Sequence, residues 1–159
     1  MQGLIYTARF SSTESAAQDL FSIGPVVTPN MIIIHEIRIG QHTLSGDFDA
    51  EMAEIQLARA AAVGTGGTVV SPAPRPHMPG APAATVQVQT SHTTPATSPD
   101  IIHSDTFNIQ GGWCYLPATY EDRIIISSSP GRDIFVCTLP NVVSSAGFAG
   151  SIIFEEILG

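Results

Sequence analysis

The chain has 159 residues, 43% of them hydrophobic and 13% charged, with fourteen acids against six basic residues and a formal net charge of −8. All six basic residues are arginines, which excludes a P-loop lysine, a Schiff-base lysine and a lysine general base. Arg9, Arg38, Arg59, Arg75, Arg123 and Arg132 are too scattered to form a basic stripe, so direct nucleic-acid binding is not expected.

The length is that of one ordinary domain able to bury a core without metals or disulfides, and the Ser, Thr, Gly and Pro content suits an all-β chain with many turns. No segment approaches the roughly 20 apolar residues that cross a bilayer as a helix, and MQGLIYTARFSST has no signal-peptide pattern. The expectation is a protein made in the cytoplasm with no membrane partner. Cys114 and Cys137 are read as two buried free thiols in preference to a cross-strand disulfide.

In chain order, residues 4–10 alternate, with Leu4, Tyr6, Ala8 and Phe10 on one side and Ile5, Thr7 and Arg9 on the other, the pattern of a half-buried strand. Residues 18–23 (QDLFSI) form a second run, closed by Gly24-Pro25. Residues 31–40 (MIIIHEIRIG) are the strongest strand of the first half, with Ile33, His35, Ile37 and Ile39 assigned to one face and His35 read as a hydrogen-bonded structural residue. Residues 47–62 suit a helix by composition and a strand by alternation; among strand-like neighbours they are read as a strand. Asp47, Asp49 and Glu51 resemble a calcium loop only in part, because Met52 stands where the glycine turn is needed and Ala58 where a bidentate Glu is needed.

Residues 61–100 interrupt this pattern. Seven of the twelve prolines lie between Pro72 and Pro99, and proline's fixed φ and missing N–H rule out a helix or a central strand there. An alternating run at 84–90 (ATVQVQT) marks the tract as an excursion from one domain, not a tether between two. Its candidate arm spans 64–82 and, as polyproline-like chain, would reach roughly 60 Å at about 3.1 Å per residue. Val69, Val70, Arg75, His77 and Met78 are its candidate partner contacts.

Residues 101–116 read as two strands broken at Gly111-Gly112, followed by strands at 123–128, 134–139 and 149–157. Eight to ten short strands predict a single two-sheet β-sandwich over residues 1–159, Greek-key or jelly-roll-like. Two hinged β domains, the alternative, would each have too few strands to cover a core.

No nucleophile elbow, zincin motif or cysteine-pair metal spacing occurs, and no cofactor is expected. GTGGT at 64–68 lacks the lysine and helix of a phosphate cradle and reads as a flexible turn. His77, His92 and His103 read as exposed loop residues. His103-Ser104-Asp105 is triad-like only as letters, and Glu155 and Glu156 are strand neighbours that point to opposite faces. Trp113, Tyr115 and Tyr120 are candidates for a sugar-stacking platform, with Trp113 after Gly-Gly equally readable as a plug at a sheet end.

QDLFSI, IRIGQHT, the E-x-x-E-I-Q-L-x-R strand before GTGGT and the Pro-rich stretch, HSDTFNIQGGWCYLP and FAGSIIFEEI occur in that order over nearly the whole chain. In this ordering the chain resembles small β-sandwich virion proteins of tailed phages, of the decoration or cement type. The resemblance implies a non-enzymatic protein on the capsid exterior, often trimeric, whose partners are itself and the phage major capsid protein. It brings no catalytic or ligand residues. A carbohydrate- or receptor-binding module of a tail or fibre tip is the alternative.

Overall fold

The computed structural model describes residues 3–14, 16–42, 51–75, 80–97, 99–141 and 146–159. Side-chain alternation sets the strands into two antiparallel sheets. One sheet orders β10 (Ile124–Ser127), β3 (Met31–Gln41), β12 (Ala146–Ile157), β1 (Leu4–Glu14) and β6 (Ala73–Arg75), with β9 (Trp113–Tyr115) beside β10 along the same edge of β3. The other orders β5 (Thr68–Val70), β7 (Val88–Thr90), β2 (Gln18–Ile23), β11 (Ile134–Leu139), β4 (Met52–Ala60) and β8 (Asp100–Asn108).

The pairing identifies the form of the sandwich. β1 pairs with β12, β2 with β11, β3 with β10 and β9, and β4 with β8. One arm of an antiparallel ribbon, β1 to β4, therefore runs against the other, β8 to β12, and successive rungs alternate between the sheets. That is a jelly roll. Its core is aromatic and aliphatic: Phe10 meets Phe21 at 5.1 Å between ring centroids, Tyr6 stacks on Phe154 at 5.7 Å, and Ile32, Ile34, Ile37, Ile55 and Leu57 fill the space around them.

The strand expected at 47–62 is β4; residues 47–50 lie outside the described residues. In β3 the expected facing is wrong in its first half. A register shift at His35 puts Ile32, Ile34, Ile37 and Ile39 all in the core and leaves Ile33 on the outer face. A bulge inserts one residue and inverts the phase of the alternation. His35 itself bonds Glu155 at 3.0 Å, on the outer face.

The proline-rich tract occupies the tip of the ribbon, between β4 and β8. Its described part does not project as a 60 Å arm but crosses to the far edge of the roll, where β5 pairs with β7 and β6 with β1. Pro74 fits because β6 is an edge strand. The return leg is tied as well: the Tyr6 hydroxyl donates to the Pro82 carbonyl at 3.2 Å. The Thr85 N–H and hydroxyl donate to Glu156, which is buried and faces inward. The tract is thus a strap across two sheet edges. The strand expected at 84–90 shortens to β7.

Both cysteines are free, but only Cys137 is buried; Cys114 is exposed on β9. Burial pushes the Cys137 thiol well above its ordinary value, while Cys114 is open to reagent. Native protein is expected to titrate one thiol with a disulfide reagent and two after unfolding; two fast thiols in the native state would contradict the buried position of Cys137.

Candidate functional site

β8 is an edge strand of one sheet and β9 lies on an edge of the other, and the chain crosses between them through 109–112, where Gly112 has a φ of 70°. The two edges part above this crossing. Between them opens a cleft of about 430 Å³, lined by Ile102, His103 and Asp105 from β8, Trp113, Cys114 and Tyr115 from β9, and Leu116 to Ala118, Asp122 and Ile124 beyond. His103 and Asp105 reach it together because residues two apart on a strand share a face. Ser104 points the other way and bonds Glu54, so the apparent triad does not assemble.

The walls are fixed by their own hydrogen bonds. The Trp113 indole N–H donates to Asp105 at 3.0 Å, and the Thr106 N–H donates to the same carboxylate at 2.8 Å. These bonds, the indole's first, hold the Asp105 carboxyl below its ordinary value. The Tyr115 hydroxyl donates to the Asp122 carbonyl at 2.9 Å, and burial pushes its phenol up. The Asp122 carboxylate accepts from Thr119 N–H and hydroxyl, closing the turn at 119–122. The His103 ring lies edge-on to Tyr115 at 5.8 Å and 6.2 Å from Trp113.

Of the proposed sugar platform, Trp113 is only 9% exposed and belongs to the core, so it offers no free ring face. Tyr115 is half-buried in the cleft wall. Tyr120 is exposed but lies outside the cleft lining, its ring covered by the Arg123 guanidinium at 4.4 Å.

The proposed strap contacts lie on the opposite edge of the roll. Val69 is exposed on β5, Val70 is half-buried against the core and Arg75 is exposed on β6; His77 and Met78 lie outside the described residues. Thr7, Arg9, Val70, Ser71, Ala73 and Arg75 line a hollow of about 240 Å³ at this edge. Arg9 was not singled out by sequence, because only the β1–β6 ladder brings it to the strap.

His92 is fully buried, not an exposed loop histidine. Its Nε2 lies 3.0 Å from the Ser22 hydroxyl, and its neighbour Asp19 accepts the Ala96 N–H at 2.7 Å and the Thr138 hydroxyl at 2.5 Å. Asp19, Ser22 and His92 are at most 1% exposed, so this set fastens loops and meets no substrate. It clamps 91–96 over Ala58, Ala60 and Val136 on the outer face of the second sheet. Gly64 is required beside it, since a Cβ there would collide with the Thr94 carbonyl oxygen. GTGGT is therefore packed tightly against its neighbours.

Among the described residues, no three or more His, Cys, Asp or Glu are grouped to hold a metal ion, and no helix is long and apolar enough to cross a membrane. Comparison with known proteins found no matching family model, no matching curated protein and no matching solved structure.

Proposed function

We propose that this jelly roll is a non-enzymatic virion structural protein, a head decoration or cement protein that self-associates, as a trimer, and binds a phage major capsid protein on the capsid exterior. Jelly rolls serve as capsid and lectin domains alike, so the fold by itself does not choose. The observation that carries the reading is the distribution of exposed apolar side chains. Ile102 on β8 and Leu116 after β9 line the cleft, Leu116 being 69% exposed, and Ile101 on β8, Tyr120 in the β9–β10 loop and Ile125 on β10 are exposed on the elements that flank it. Such a surface is suited to burial against protein. The strap edge, with Val69 and Arg75 outermost, is assigned to the shell.

Light scattering of the purified protein is expected to give a trimer that Leu116→Asp reduces to monomer without loss of fold, and heads lacking the protein are expected to take it up. A strictly monomeric protein that fails to add to such heads would rule the reading out. The cleft favours a second reading, a carbohydrate- or receptor-binding module, because Tyr115, His103 and two aspartates line it. Glycan-array binding lost in Tyr115→Ala would support that reading over the first. Tyr115 is the better probe, because truncating Trp113 also empties part of the core.

A further inference from the structure

The six arginines divide by what their guanidinium groups do. Arg38 pairs with Glu36, Arg132 with Asp100, Arg59 donates to the Ile125 carbonyl at 3.0 Å, and Arg123 stacks over Tyr120. Arg9 and Arg75 make no ion pair, hydrogen bond or ring contact with any described residue, and both line the hollow at the β1–β6 edge. In a chain with fourteen acids and six cations, two cations at one place with no partner among the described residues call for a physical reason.

The register places both on one face of the β1–β6 edge. Thr7 stands opposite Ala73 in the β1–β6 ladder and Ile5 opposite Arg75, so Arg9 lies two residues beyond Thr7 on the same face, and Ser71 lines the hollow with it. The arginines flank Thr7 from its two ends, and the small Ala73 leaves the space between them open. The Thr7 hydroxyl is itself buried without a hydrogen-bond partner. Among the described residues no carboxylate lines the hollow. Glu155, opposite Ile5 on the neighbouring strand, is already held by His35 at 3.0 Å and by the Gly3 N–H at 3.1 Å.

We infer that this hollow is an oxyanion-binding site, taking a compact carboxylate or phosphate group between Arg9 and Arg75 with the hydroxyls of Thr7 and Ser71 beside it. Guanidinium groups are donors only, and their fork matches the paired oxygens of either anion. The inference does not rest on the proposed function, since it is read on the isolated chain.

The test follows the Nε–H signals of the six arginines by NMR at pH 6. Sodium acetate and sodium phosphate are titrated separately against sodium chloride at matched ionic strength. Saturable shifts confined to Arg9 and Arg75 are expected. Saturation by acetate assigns the site to a carboxylate, such as an acidic side chain of another protein, and saturation by phosphate assigns it to a phosphoryl group. Arg9→Gln and Arg75→Gln should each weaken binding at least tenfold while melting as the parent does, and Arg123→Gln should leave binding unchanged. Thr7→Val gives an independent reading: it should weaken binding and raise the melting temperature of the ion-free protein, because it removes a buried hydroxyl without a partner. Shifts that match chloride, or that run in parallel across all six arginines, overturn the inference.

Discussion

Replacing Asp19 with alanine is expected to destabilise the protein by about 3 kcal/mol, since it leaves one buried and one half-buried donor without acceptors at about 1–3 kcal/mol each. Those donors are the Ala96 N–H and the Thr138 hydroxyl, so one carboxylate joins β2, β11 and the 91–96 loop. Losing it also uncovers Ala58, Ala60 and Val136. Urea unfolding gives the value. Asp19→Asn keeps the shape and an acceptor for Ala96, and should stay within about 1 kcal/mol of the parent at pH 7.

The same pair of proteins tests the charge of the site. Burial raises the Asp19 carboxyl above its ordinary value of 3.8, against the opposing pull of the Thr138 and Ala96 hydrogen bonds and of His92. On raising the pH, the unfolded chain releases this proton first. Between the ordinary and the folded value the native state therefore holds more protons, and its stability falls as pH rises through that window. Asp19→Asn has no proton to release there, and the other acids titrate in both proteins. The parent should gain on the variant as pH is lowered from 7 towards 4. Parallel stability curves over that range would mean that Asp19 is not desolvated.

Neither Asp19 nor His92 announces this role in the sequence, because they are 73 positions apart and lie in unlike surroundings, one in a strand and one in a polar loop. What is legible is local. Residues 18–23 and 134–139 have the strand bounds expected from apolar runs closed by turn residues, and the opposite facing of Glu155 and Glu156 follows from the pleat. The sandwich follows from many such runs. The expected facing of β3 fails where tertiary pairing inserts a bulge at His35, although the spacing of Ile32, Ile34, Ile37 and Ile39 carries its trace.

The strap was legible as an interruption and not as a path. Proline content excludes a central strand, which holds, but edge strands tolerate proline and β6 is one. Which edge it joins depends on β1, some seventy residues earlier, and no local pattern encodes that. The same reason hid the Arg9–Arg75 hollow and the approach of His103 and Asp105 to β9. Trp113 is ambiguous for a different cause: an aromatic residue after two glycines reads equally well as an exposed platform or as a plug, and its burial decides for the plug.

Gly150→Ala is expected to cost about 3 kcal/mol, the upper part of the usual range for overpacking. Gly150 lies within β12, paired with Phe10 of β1 on one side and Ile39 of β3 on the other. A Cβ there would collide with the Arg38 carbonyl oxygen and come within 2.8 Å of Phe10 Cζ. The first of these is backbone held in a ladder, so relief requires β3 or β12 to move, not a side chain to rotate. Gly40 is the control: it lies on β3 opposite Ala149, and a Cβ there meets nothing within 4 Å. Gly40→Ala should therefore be neutral or slightly stabilising, because alanine gives the unfolded chain less freedom to lose. Denaturation midpoints separate the two variants. β12 also holds β1 in place, and β1 carries Thr7 and Arg9, so denaturant should abolish oxyanion binding at a lower concentration in Gly150→Ala than in Gly40→Ala. Equal midpoints for the two variants would show that the approach of the Arg38 carbonyl to Gly150 is not as close as the β3–β12 ladder places it.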